Sequence, residues 1–162
     1  MPTTISQTLS IKADGMVSAS QGTWNQVHKT STAAAADQST GIYPIGVGAF
    51  LDGSTYRVHR FNVHLDTSDI KVKPLSGSLF IRGTHNGTGD MWLVKGDIPA
   101  GEEGQILTTH YNDMTGWLSA NQNTWTIDDL VKYSDDEITT WATNAYNEIP
   151  FNDTALSDIE KN

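Results

Sequence analysis

A chain of 162 residues with a formal net charge of −9 and no cysteine has the length of one domain, enough to bury roughly 70% of the surface its unfolded form exposes. The lack of Cys excludes a disulfide framework and a thiolate metal site, and 10 basic against 19 acidic residues disfavour nucleic-acid binding, which needs clustered Lys and Arg on phosphates. Only 18% of residues are charged, below the usual share of about 25%, and Thr, Ser, Asn and Gly are abundant, as in an exposed β protein.

Met1-Pro2-Thr3-Thr4-Ile5-Ser6 lacks the basic region and apolar run of a signal peptide, and no stretch has the apolar length of a membrane span. The expectation is a cytoplasmically made product without membrane insertion. Ile5, Leu9 and Ile11 punctuate a first strand, Asp14-Gly15 reads as a hairpin signal, and Met16 to Ser20 reads as its return. Met1 to Ser20 is therefore either a first hairpin or, by position and polarity, an extended arm that docks on a neighbour. Gln21 to Thr30 reads as a short strand with Trp24 turned inward. Ser31 to Thr40, with four consecutive Ala, reads as a loop, having neither a cap nor a long apolar face. From Gly41 to Leu51, Gly alternates with apolar residues, which predicts an extended strand; Asp52-Gly53 then turns the chain.

Gly53 to Gly83 reads as a central hairpin, two strands joined by a loop. In the first, Phe61, Val63 and Leu65 alternate with Asn62 and His64, the period of a strand with one buried and one polar face. Tyr56 and Val58 are out of phase with Phe61, so the strand either bulges near Arg60, the favoured expectation, or is covered on both faces. Asp66 to Asp69 ends it with side chains that bond their own backbone. Pro74 marks the edge of the second strand, with Leu75, Leu79 and Ile81 facing in.

Thr84 to Asp90 reads as a loop around the Asn86-Gly87 turn, Met91 to Gly96 as a central strand, and Asp97 to Gln105 as a surface loop. Ile106 to Tyr111 is a short strand or turn. Asp128 and Asp129 suit the first turn of a helix, Tyr146 to Phe151 is again strand-like, and Leu156 with Ile159 suits one terminal helical turn.

Little in this pattern is catalytic. The five histidines have no regular ligand spacing, and His59, His64 and Asp66 make at best a weak zinc candidate, since His59 and His64 point to opposite faces of a regular strand. No nucleophile elbow or phosphate-binding loop occurs. Asp128, Asp129, Asp135, Asp136 and Glu137 could hold structural Ca²⁺, and their spacing, which matches no EF-hand loop, reads first as a solvated acidic surface; no cofactor is expected. Tyr111, Trp117 and Trp125 lie among Asn- and Gly-rich loops, where flat rings beside amides can take a glycan, stacking on the sugar face and bonding its hydroxyls. Core packing and subunit contact are the other uses of such rings.

Several segments carry a resemblance: Tyr56-Arg57-Val58-His59-Arg60-Phe61, His64-Leu65-Asp66-Thr67-Ser68-Asp69-Ile70 and Leu75-Ser76-Gly77-Ser78-Leu79-Phe80-Ile81, with Gly22-Thr23-Trp24 before them and Leu107 to Tyr111 and Phe151 to Ile159 after. Together they resemble a β-sandwich family of tailed-phage virion proteins, itself similar to the DNRLRE-type and carbohydrate-binding-like jelly-roll modules of secreted bacterial proteins. Leu65 stands where that family has Phe and Gly77 where it has Ala, and the family adds strands beyond the position of Asn162. The resemblance implies an all-β, jelly-roll-like antiparallel sandwich over residues 21–162, short of its final strands. It also implies a non-enzymatic role in a virion, as a capsid or tail decoration, fibre or adhesion component. The partners implied are other virion proteins, further copies of the chain, perhaps as a trimer, and a host surface glycan. A secreted carbohydrate-binding module is the alternative.

Overall fold

The computed structural model describes residues 6–30, 33–37, 48–83, 91–117 and 126–160. Two 12-residue strands, β1 (Ser10–Gln21) and β4 (Thr55–Asp66), pair antiparallel from Ser10 opposite Asp66 to Gln21 opposite Tyr56. β2 (Ala35–Asp37) joins the free side of β1 and β3 (Gly48–Asp52) that of β4, in the order β2-β1-β4-β3. A second antiparallel sheet pairs β5 (Ser78–Arg82) with β6 (Tyr146–Pro150). Helical structure is limited to α1 (Trp24–Lys29), α2 (Asp153–Glu160) and 3₁₀ turns at Thr108–Asn112 and Ile127–Asp129 among the described residues. The protein is all-β, as its composition predicts.

The register fixes what each face of the large sheet does. Val17 and Ala19 are buried and stand opposite Arg60 and Val58, so the odd residues of β1 and the even residues of β4 share one face. Against it pack Val27 of α1, Ala33, Ile106 and Tyr111. A second buried group, Leu130, Ile149, Ala155 and Leu156, lies in the half of the chain that holds the small sheet. There Asp158 of α2 accepts from Lys95 Nζ at 2.7 Å and from Tyr133 Oη at 2.8 Å, which ties the last helix to the body. Burial and the Asp158 carboxylate push the Tyr133 hydroxyl pKa upward, so it stays a donor at neutral pH.

Several expectations are corrected. Asp14 and Gly15 lie inside β1, not at a turn; the strand runs through without a hairpin, and Ser10 to Ser20 are taken up by pairing within the chain. Gly15 is needed for close approach: a Cβ there would stand 2.5 Å from the Asp37 carbonyl oxygen and 3.2 Å from Ile106 Cγ1. Residues 24–29 are a helix, because the Thr23 hydroxyl accepts from the Gln26 N–H at 3.3 Å and caps the first turn; Trp24 is 46% exposed, not an inward anchor. β4 has no bulge at Arg60. The irregularity is on its partner, between Ile11 and Ala13, and every residue of β4 is half-buried, as in a strand covered on both faces.

β4 and β5 do not pair, since each belongs to a different sheet; Leu75 lies before β5 and is 98% exposed. Met91 to Gly96 is no central strand. It is held by single bridges from Met91 to Ile138, Val94 to Lys132 and Gly96 to Met114. The turn at Asp52-Gly53 is found, with Asp52 opposite Thr55 and Gly53 at φ 61°. Most of residues 41–51 and the Asn86-Gly87 turn lie outside the described residues. Gly15→Ala is expected to lower stability by about 1–3 kcal/mol through overpacking of the β1–β2 contact, measured by chemical denaturation; an unchanged midpoint would show that the strands can move apart without loss.

Candidate functional site

The shared core face of β1 and β4 changes character along its length. At one end Tyr56 and Val58 pack against the apolar group; two residues on, the face becomes Arg60, Asn62 and His64. A strand places every second side chain on one side, so a Val-x-Arg-x-Asn-x-His sequence lays a polar row into the interior. It is met by the 3₁₀ turn Thr108–Asn112, which presents His110 and Tyr111, both buried. The Arg60 guanidinium lies 4.0 Å from the centre of the Tyr111 ring and 5.3 Å from that of Trp117, and it donates to the Tyr111 carbonyl and to Asn112 Oδ1. No carboxylate pairs with it among the described residues. Its charge is held by the two π faces and two neutral acceptors, while burial lowers its pKa.

The histidines pin the loop that precedes this turn. His110 Nδ1 accepts the Leu107 N–H at 3.2 Å, which leaves Nε2 to donate to Glu102 at 2.8 Å. His64 Nδ1 bonds the Glu103 carbonyl at 2.7 Å, and the two imidazoles stand 6.1 Å apart. Asn62 Nδ2 and His64 Nε2 are buried with no hydrogen-bond partner among the described residues. Burial raises the Asp113 pKa, Asp97 and Glu102 add to the rise, and His110 opposes it. This layer is an interior polar network that fixes the 99–113 segment to the sheet. It contains no nucleophile poised against a base.

An accessible concavity lies near the apolar end of this pair, where β1 ends at Gln21. An open cleft of about 450 Å³ is lined by Gln21, Asn25, Gln26 and Thr30. Trp24 opens the helix that supplies Asn25 and Gln26, and its ring lies 6.3 Å from that of Tyr56, tilted by 60°. Tyr56 is the register partner of Gln21. A partly exposed indole thus adjoins a cleft walled by side-chain amides and a hydroxyl, groups that donate and accept without net charge. Thr30 is tied to the interior through its carbonyl, which accepts from Asn112 Nδ2, so the cleft wall and the Arg60 network share a residue.

Of the three aromatic candidates, Tyr111 is fully buried and its ring face is taken by Arg60, which removes it from any surface contact. Trp117 is half-buried beside the same guanidinium. Trp125 lies outside the described residues. The rings at the cleft, Trp24 and Tyr56, belong to segments read as core. The Thr23-x-x-Gln26 capping pattern was the signal that could have moved Trp24 onto a surface helix.

In the acidic segment, Asp128 pairs with Lys132 at 2.6 Å, Asp129 accepts the Thr126 N–H at 2.6 Å, and Glu137 accepts from Trp92 Nε1 at 3.1 Å. Among the described residues no three His or carboxylate groups form a cation cage. His59 lies edge-on to Phe50, with ring centres 5.1 Å apart, on the face opposite His64. Asp66 accepts from the Ser68 N–H at 3.1 Å. No family model, curated protein or solved structure matches this chain; the resemblance read from the sequence rests on its motifs alone.

Arg60→Met keeps the length of the side chain but leaves the Tyr111 carbonyl and Asn112 Oδ1 without their donor, and is expected to cost about 2 kcal/mol in a denaturation experiment. For Asp113 the folded pKa is raised, so its contribution to stability is complete below the usual aspartate value and is lost as pH rises through the folded value. Asp113→Asn should therefore melt higher than the parent at pH 7, with the difference closing in acid; a lower melting temperature at pH 7 would show that the carboxylate is a needed acceptor.

Proposed function

We propose that the chain is a non-enzymatic, glycan-binding β module acting as a surface adhesion component of a virion. Its two sheets would then be parts of a jelly-roll-like sandwich. The observation that carries the binding reading is the exposed Trp24 ring, packed against Tyr56, on the helix that supplies part of a cleft whose described lining residues, Gln21, Asn25, Gln26 and Thr30, carry no charge. A sugar offers an apolar C–H face and a ring of hydroxyls, and it is bound best by an aromatic plane next to groups that both donate and accept. Amides and hydroxyls do both; a carboxylate can only accept. The buried polar layer supports a binding role in place of catalysis, because its histidines and Arg60 are spent on holding loop to sheet.

The virion setting is supported by the sequence resemblance and by the outward placement of the cleft. A secreted carbohydrate-binding module would use the same cleft and differ only in where it is found. Recovery of the chain with purified virus particles, read by mass spectrometry, supports the first setting, and recovery from particle-free culture medium the second.

Binding is tested by screening a panel of neutral oligosaccharides and titrating any hit by protein-observed NMR. Shifts should map to residues 21–30 and Tyr56. Trp24→Ala should weaken binding at least tenfold, equal to about 1.4 kcal/mol, and Gln26→Ala by severalfold, while Trp117→Phe should leave it unchanged. Shifts confined to other surfaces would refute the assignment of the cleft.

A further inference from the structure

Charge is segregated along this acidic chain. Between Ile70 and Gly83 there is no Asp or Glu, and Lys71, Lys73 and Arg82 all fall there; between Asp128 and Glu137 there are five acids and one Lys. The basic stretch also carries exposed apolar side chains: Val72 is 72% exposed, Leu75 98% and Phe80 58%.

The 71–75 segment is not a loose end. Lys71 Nζ donates to the Ser68 carbonyl, the Ile70 N–H to the Thr67 carbonyl at 2.9 Å, and Lys73 reaches Asp153 at 3.2 Å. On its far side the Phe151 N–H donates to the Gly77 carbonyl at 2.9 Å. Pro74 holds the backbone extended. The result is a braced projection that offers two aliphatic side chains to solvent with cations beside them, and water gains nothing by being kept against them.

We propose that this projection docks on the acidic segment Asp135-Asp136-Glu137 of a second copy of the chain. All three of those residues are exposed, and Glu137 stands at the edge of the half-buried Trp92, whose ring the Lys132 ammonium also covers at 4.3 Å. Trp92 supplies apolar surface for Val72 and Leu75, and the carboxylates meet Lys71 and Lys73. Two projections cannot face each other, because their lysines repel; the contact joins unlike surfaces, either reciprocally in a two-fold dimer or head to tail in a ring or row of copies. This contact does not rest on the glycan reading, and neither surface includes a residue of the cleft.

The test uses two variants altered only at exposed positions, V72D/L75D and D135K/D136K/E137K, with the parent chain, each shown by circular dichroism to melt like the parent. In light scattering at low ionic strength and high micromolar concentration, the parent should have a mass above the monomer, falling as salt screens the carboxylates. Each variant alone should be monomeric. Mixed in equal amounts they should form a one-to-one dimer and nothing larger, since the pair retains one intact projection and one intact acidic surface. A monomeric parent, an assembly that survives V72D/L75D, or a mixture that stays monomeric would each overturn the proposal.

Discussion

The pairing of β1 with β4 is the constraint on which the rest depends. It runs the length of both strands, so a single register decides which side chains of each are enclosed. Shifting it by one residue would either turn Val17 and Ala19 away from the core or turn Arg60 and His64 to the other side. β2, β3, α1 and the 3₁₀ turn at 108–112 all take their positions from this pair. The strands join parts of the chain about forty residues apart, so the loop entropy of closing them is met by length: many hydrogen bonds and two partly covered faces.

The core face of that pair grades from apolar to ionic within three alternate residues of β4. The polar end finds most of its partners in one later segment, 99–113, with Trp117 added beside Arg60. The same segment supplies Ile106 and Tyr111 to the apolar end. One stretch of chain thus closes both the greasy and the charged parts of the interior. Arg60, with no carboxylate partner among the described residues, is held by rings and carbonyl oxygens, an arrangement that keeps the charge in place without a second buried charge whose desolvation would have to be offset.

How much of this could be read in advance depended on how local the cause was. The turn at Asp52-Gly53, the strand at Tyr146 and the terminal helix around Leu156 and Ile159 follow from neighbouring residues, and they are where the pattern put them. The alternation of Phe61, Val63 and Leu65 with Asn62 and His64 identified a strand, but alternation distinguishes two faces without telling which is inside. Tyr111, His110 and Glu102, far along the chain, turned the polar face into the interior. The Trp24 helix was written locally, in Thr23 and Gln26, and was outweighed by the strand-like composition around it. The residues that line the cleft, Gln21, Asn25, Gln26 and Thr30, lie within one short stretch; what was missed is the helix that turns them to a common side at the end of β1.

The small sheet has a further implication for how the molecule is made. β5 ends at Arg82 and its partner, β6, begins at Tyr146, so on a ribosome the first of these strands emerges long before the second. During that interval its backbone donors and acceptors, and Phe80, face the crowded surroundings of a nascent chain. The large sheet can pair as soon as Asp66 has emerged but waits for Ile106 and Tyr111 to cover its core face, whereas the ribbon must wait for Tyr146. Synthesis therefore divides the fold in time, and until β6 appears the first strand of the ribbon is open to capture by chaperones or by neighbouring nascent chains.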